Sequence, residues 1–334
     1  MPQESRIVGL DVSKHKVDGC IRSRQARQSQ PSTAAGQAQM VAWLRENDVA
    51  LAVMEASGGY ERPWATALRE AGIKVRIVDP KRVRHFAKSA GRLAKSDPID
   101  AEMIAWFAET FRDAPDQPHD ADREELDLLV TARATVVKLL AQMGNHSEHR
   151  QPPVVTRAYA AMARSMTAQL AKLEAAIAAK IATTAELAAS AEIIASVPGL
   201  ADQATAGVLA WLPELGKISN KAAAALLGAA PYDNDSGEHT RERHIAGGRR
   251  EIRNLLYMPT VGAATRHNPV LAAYYQRLIA KGKPGKVAVI ACMRKLIVIL
   301  NTMLARGQTW NPPPPDTPPA TASAAVGAMA PTAR

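Results

Sequence analysis

An α/β domain followed by a mainly helical remainder is the fold class this sequence predicts, and three observations predict it. Strand-like and helix-like patterns alternate between Arg6 and Val78, as in an α/β layer structure. From Arg123 to Ile181 apolar residues recur instead at intervals of three and four. The apolar fraction of 47% is rich in alanine and aromatic residues make up only 4%, which suits helices packed through small contact faces.

Taken in order, residues 6–10 and 16–22 read as strands around a polar turn at Ser13 and Lys14, a hairpin. A helix over Ala34–Glu46, a buried strand over 50–54, a helix over 63–71 and a strand over Lys74–Val78 follow. Beyond Arg82 the pattern turns helical, and Asp97-Pro98 marks a helix start, with aspartate as cap and proline in the first turn. Leu126, Leu129, Val130, Val137, Leu140 and Met143 form one helical stripe; Met162, Met166, Leu170, Leu173, Ile177 and Ile181 form another after the break at Gln151-Pro152-Pro153. Two long antiparallel helices, a coiled-coil linker, satisfy both stripes, as a spacer or as an oligomerisation arm.

The resulting division is an α/β catalytic domain over 1–115, the helical linker over 116–190 and a mainly helical domain over 191–311. The last of these opens on VPGLADQATAGVLAWLP, a helix-hairpin-helix-like start. The proline- and alanine-rich tail, 312–334, has no apolar periodicity and is expected to be disordered.

A net charge of +10 and a pI near 9.7 favour a polyanionic partner, without separating nucleic acid from a membrane surface. No run approaches the roughly 18–20 uninterrupted apolar residues of a membrane span, and the start MPQESR lacks a signal-peptide core. The expectation is a soluble, cytoplasmic bacterial protein with no membrane partner, associated with the nucleoid. Cys20 and Cys292 lack any metal-ligand spacing and disfavour both a disulfide framework and a zinc site.

Asp11 follows the strand RIVGL and Glu55 follows LAVM, so each acid stands at a strand end. Asp97 and Asp100, three apart at a helix start, share one helix face. Singly, each reads as a turn residue, loop residue, cap or dipole partner. Jointly, strand-Asp-hairpin, strand-Glu and helix-DxxD in that order form the RNase H/RuvC pattern, in which carboxylates hold hard divalent cations for phosphoryl transfer. Asp18, Glu61 and Glu102 break the pattern and read as surface charges.

Basic residues cluster twice. Lys81, Arg82, Arg84, Lys88 and Arg92 lead into the DxxD helix; Arg241, Arg243, Arg249, Arg250 and Arg253 begin a second run that continues to Arg306. As groups they favour phosphate contacts, which position a nucleic acid without reading its bases. No zinc finger, recognition helix or RRM signature accompanies them.

The segments GLDVSK, EASGGYE, VDPKRVRHFAKSAGRLAKSDPIDA and NDSG together resemble the IS110 insertion-sequence transposase family, which includes Piv-like DNA invertases and RNA-guided bridge recombinases. The resemblance runs from about Ile7 to Leu304. It implies a DEDD tetrad at Asp11, Glu55, Asp97 and Asp100 holding Mg²⁺, with Mn²⁺ as a substitute. It also implies a nucleophilic serine at Ser236, donor and target DNA as substrates, a structured noncoding bridge RNA as guide, and a homo-oligomer, dimer or tetramer. In isolation Asp235-Ser236-Gly237 is ordinary turn composition. The implied function is a transposase or site-specific recombinase working through a phosphoserine intermediate. The alternatives are a RuvC-like nuclease or junction resolvase with a structural serine, and a nucleic-acid-binding protein without catalysis.

Overall fold

The computed structural model describes residues 6–92, 97–112, 120–232 and 244–312, with backbone alone for 97–99, Tyr232 and His244. The chain forms two compact units divided between His119 and Asp120.

The first unit is built on a five-stranded sheet in the order β3-β2-β1-β4-β5. Strands β1 (Arg6–Val12), β2 (Lys16–Ile21) and β3 (Ala26–Pro31) form an antiparallel meander. β4 (Val49–Glu55) and β5 (Lys74–Val78) extend it in parallel from β1. Strand β1 is central and buried almost throughout, as expected of a strand covered on both faces. Helices α1 (Ala34–Glu46) and α2 (Glu61–Glu70) cover one face, where Met40, Leu44, Trp64 and Leu68 pack on Val8, Leu10, Val12, Ala52 and Met54. Helices α3 (Pro80–Ser89) and α4 (Asp97–Thr110) cover the other, where Val83, Ala87, Ile104 and Phe107 pack on Ile7, Val53 and Val78. Side chains of a strand alternate between faces, so these two clusters assign the positions of β1 from Ile7 and of β4 from Leu51 to a side.

The strand β3 departs from expectation. Its sequence ARQSQP carries no apolar alternation, because it is an edge strand whose pairing with β2 comes from the backbone. Helix α3 also begins earlier than the periodicity suggests, capped by Asp79 accepting from the Lys81 N–H at 2.9 Å with Pro80 in the first turn. The fold of this unit fits a RuvC-like domain.

The second unit opens on two long helices, α5 (Ala121–Ser147) and α6 (Pro153–Thr183). Their contacts fix an antiparallel arrangement. Lys180 pairs with Asp122 at 2.7 Å and with Glu125; Arg133 pairs with Glu174 at 2.8 Å; His146 stacks on Tyr159. Leu126, Val130 and Ile177 anchor this hairpin in the core of the unit, while Val137, Leu139, Val154 and Met162 farther along it are exposed.

Helices α7 (Ala185–Ala195), α8 (Asp202–Trp211) and α9 (Asn220–Leu227) follow, then two short strands, β6 (Pro231–Tyr232) and β7 (His244–Ile245). Helix α10 (Arg250–Gly262) runs through Pro259 into one π-helical turn, Ala263–His267. The polypeptide ends in α11 (Pro269–Ala280) and α12 (Gly285–Arg306) as far as described.

Helix α12 is long and apolar enough to cross a membrane by length and composition. Arg294 and Lys295 interrupt the run and hide it from a search for unbroken apolar sequence. Cys292, Met293, Leu296, Ile297 and Leu300 are fully buried against the rest of the unit, so it serves as that unit's core helix. Buried Asn301 is satisfied within the fold: its amide donates to the Ile218 carbonyl and Asn220 Oδ1, and its oxygen accepts from the Gly216 N–H at 2.8 Å.

Candidate active site

β1 and β4 are paired in parallel with Leu10 opposite Met54, and Asp11 and Glu55 are the next residues of each strand. Leu10 and Met54 belong to the α1/α2 face, so alternation turns Asp11 and Glu55 toward α4. Asp11 lies within β1 and Glu55 is the last residue of β4, one step from the ends expected for the first.

Helix α4 runs opposite to β1. Near its end Glu109 binds Arg22 at 2.5 Å, at the level of the base of β1, and nearer its start Glu102 binds Arg27 at 2.5 Å, level with Gly9. Its first residues, Asp97 and Asp100, therefore lie toward the carboxyl ends of β1 and β4, where Asp11 and Glu55 stand. Gly9 permits the approach: a β carbon there would stand 2.2 Å from the carbonyl oxygen of Ala101. At the other end of α4, Arg76 of β5 donates to the Phe111 and Arg112 carbonyls at 3.1 and 3.2 Å, and Phe86 packs edge-on against Trp106 and Phe107.

The four predicted acids thus share one face and one end of the first unit by backbone placement. Among the described residues, no three His, Cys, Asp or Glu side chains are gathered into a set able to hold a metal ion. Asp11, Glu55 and Asp100 each engage other groups, and the Asp97 side chain lies outside the described atoms. The donor chemistry, all carboxylate oxygen, suits Mg²⁺ or Mn²⁺ and disfavours softer metals.

Two acids read from sequence as surface charges take on roles here. Asp18 is the direct cross-strand partner of Asp11 and forms an ion pair with Lys16 at 2.9 Å. Opposed residues of an antiparallel pair lie within about 5.5 Å, so Asp18 adds negative charge beside Asp11. Counting back from the turn at Ser13 gives this register from sequence.

Glu61 is buried, and its Oε2 accepts from the Ser57 N–H at 2.9 Å, the Ser57 hydroxyl at 2.7 Å and the Gly59 N–H at 2.9 Å. Burial opposes its ionisation, but the hydrogen bonds from the Ser57 side chain and from backbone N–H groups outweigh that, holding its carboxyl below the ordinary range. Together with the Ala56 N–H donating to the Val78 carbonyl at 3.0 Å, Glu61 fixes the loop leaving Glu55.

The basic residues divide into two kinds. Lys81, Arg82, Arg84, Lys88 and Arg92 are exposed, and Arg82 rests over the Phe107 ring at 5.4 Å. Arg250 is exposed as well. Arg249, by contrast, is committed to Glu214 at 2.5 Å and to the Trp211 carbonyl at 2.7 Å. Arg253 donates to the Gly247 carbonyl at 2.9 Å and the Gly228 carbonyl at 3.3 Å. Expected as phosphate ligands, these two guanidiniums are instead occupied in holding the unit together.

Ser236, Arg241 and Arg243 lie outside the described residues. The strands on either side of that segment pair antiparallel, Pro231 with Ile245 and Tyr232 with His244. Beside them Gly228 and Gly248, both at positive φ, touch backbone to backbone: a β carbon on Gly248 would stand 2.2 Å from the Gly228 nitrogen. Cys20 and Cys292 are buried free thiols; burial pushes Cys292 up to about 11, with Lys295 opposing, so neither is poised for reaction.

Residues 8–149 match a family described as "Transposase", the DEDD type of IS110, and residues 191–276 match one described as "Transposase IS116/IS110/IS902 family". The chain is also 24% identical over 314 residues to the pilin gene-inverting protein of Moraxella lacunata, covering 91% of this chain and 97% of that protein. The pilin gene-inverting protein of Moraxella bovis matches at the same identity and coverage.

Proposed function

We propose, from the premise that this chain belongs to the IS110 family of transposases, that it cuts, exchanges and rejoins DNA strands at defined sites through a covalent link to Ser236. The observation that carries this reading is the placement of Asp11 and Glu55 at the adjoining ends of parallel strands, facing the helix that starts with Asp97 and Asp100. Near full-length similarity to proteins named for inverting a pilin gene supports site-specific recombination over simple nuclease activity.

In this reading Asp11, Glu55, Asp97 and Asp100 hold Mg²⁺, or Mn²⁺ in its place. When bound, the cation lowers the cost of charge on the attacking and leaving oxygens. The Ser236 oxygen attacks phosphorus, the bond from phosphorus to one sugar oxygen breaks, and that oxygen takes up a proton while the serine loses its own. Attack by a sugar hydroxyl of the second strand reverses the link and joins the new pair, so no phosphodiester energy is lost. Lys81, Arg82, Arg84, Lys88, Arg92 and Arg250 bind backbone phosphates without reading bases. Target choice then falls to a structured noncoding RNA pairing with donor and target DNA, and the active form is a homo-oligomer.

The test incubates the full chain with RNA transcribed from DNA flanking its gene and with duplexes carrying candidate donor and target sites, in Mg²⁺. Joined products found by sequencing, together with DNA attached to a Ser236 peptide by mass spectrometry, support the reading. Cleavage without any covalent adduct replaces it with a nuclease.

A further inference from the structure

The edge formed by α11 and α12 carries charge that the proposed chemistry leaves unused. From Ile252 to Arg306 the sequence holds no aspartate or glutamate. Arg277, Lys281, Lys283, Lys286 and Arg294 are exposed here, and Lys295 is half-buried. Arg277 and Lys295, from different helices, stand over the one ring of Tyr274, at 5.1 and 4.9 Å from its centroid. The ring face attracts each cation only weakly at such a partly exposed site, against the repulsion of two like charges drawn together. Among the described residues none of the six cations has a carboxylate partner. A surface that concentrates cations without acids attracts a polyanion.

We infer that the α11–α12 edge binds the phosphate backbone of duplex DNA. The inference rests on the reading that this chain acts on DNA. Most of the edge lies beyond residues 191–276, where the family match ends. Lys281, Lys283 and Lys286 gather at the connection between the helices, Arg277 and Lys295 gather around Tyr274, and Arg294 precedes Lys295 on α12. Lys286 and Arg294 both belong to α12, and their separation at 1.5 Å rise per residue is about 12 Å. The two positions stand about 80° apart around the helix, and their rise is comparable to the roughly 12 Å width of the B-DNA major groove, so long Lys and Arg side chains can reach phosphates bordering one groove. The deep, narrow major groove of duplex RNA does not offer that spacing.

The experiment measures binding of the full chain to a short labelled DNA duplex of arbitrary sequence across a series of salt concentrations. It compares wild type with Lys281→Gln/Lys283→Gln/Lys286→Gln and with Arg277→Gln/Arg294→Gln, all at exposed positions. Each phosphate contact contributes about 0.9 to the slope of log affinity against log salt, so the triple variant should lose roughly 2–3 from the slope and the double variant roughly 1–2. A Lys81→Gln/Arg84→Gln/Lys88→Gln variant should lower the slope further when combined with either. Unchanged slopes in both edge variants, with wild type binding normally, overturn the inference. Loss of slope on an RNA duplex and not on DNA overturns the choice of DNA. A wild-type chain with no salt-dependent binding to DNA defeats the underlying reading instead, before any variant is compared.

Discussion

Gly9 of β1 and Ala101 of α4 approach so closely that a β carbon on Gly9 would stand 2.2 Å from the Ala101 carbonyl oxygen and 2.4 Å from the Ala105 nitrogen. Both obstructing atoms are backbone, so no rotamer relieves the clash and the helix itself must move. Gly9→Ala should therefore cost about 1–3 kcal/mol of stability as an overpacking change. It should also shift Asp97 and Asp100 relative to Asp11, which lies two residues along the same strand. Thermal melts, strand-cleavage rates and DNA affinity measured together test this. The expected outcome is a lower melting temperature and at least tenfold slower cleavage at unchanged affinity; wild-type cleavage would show that the placement of α4 does not govern the reaction.

Glu61 predicts a pH effect of definite sign. Its carboxyl titrates below the ordinary range in the folded chain, so its contribution to stability is present above the unfolded carboxylate pKa and fades as pH falls through the folded one. Glu61→Gln keeps an acceptor for the Ser57 and Gly59 N–H groups but cannot ionise. Denaturant titrations across the acid range should find the wild type more stable than this variant near neutral pH, with the gap closing as the medium is acidified. A gap that widens on acidification contradicts the hydrogen-bonded carboxylate described here.

Metal dependence is the third expectation. Asp11→Ala, Glu55→Ala, Asp97→Ala and Asp100→Ala should each abolish cleavage while leaving DNA affinity mostly intact, and excess chelator should do the same to wild type. Wild-type rates in any one variant remove that residue from the site. Normal rates in chelator remove the metal.

Arg249 and Arg253 separate structural from nucleic-acid roles among the bases. Arg249→Gln leaves Glu214 without its guanidinium partner in a largely covered position, a loss of about 1–3 kcal/mol. The salt slope of DNA binding should not change. A smaller slope at unchanged stability would return Arg249 to the phosphate-binding set.

Much of the first unit was legible because its signals are local. Apolar runs marked β1, β4 and β5, and Asp97-Pro98 marked the start of α4. The order of the acids along the chain then carried the site, since parallel pairing of β1 with β4 follows from an α/β alternation. Less legible was whatever depends on contacts distant in sequence. β3 is polar and pairs through its backbone; Glu61 looks like any helix-start acid until its oxygen is seen collecting three donors. Arg249 and Arg253 sit in a basic run whose composition reveals nothing of Glu214, the Trp211 carbonyl or the Gly247 carbonyl.

The final expectation concerns where Ser236 acts. A serine oxygen attacking phosphorus needs near-attack placement at about 3–3.5 Å and stabilisation of charge on the departing oxygen, which the acids of the first unit would supply with their cation. Ser236 falls in the second unit by its place in the sequence, so the proposed reaction requires serine and acids to meet either within one chain or between two copies. The expected arrangement is between copies, with each serine serving the acids of its neighbour. Mixing a Ser236→Ala chain with an Asp11→Ala chain tests this, because each is inactive alone and the mixed oligomer contains one intact pairing. Restored recombination and serine-linked DNA, found only on the Asp11→Ala chain, establish the shared site. No rescue in mixed oligomers, confirmed by differently tagged chains, places both parts in one chain. Covalent DNA adduct formed by Ser236→Ala alone removes the serine from the mechanism altogether.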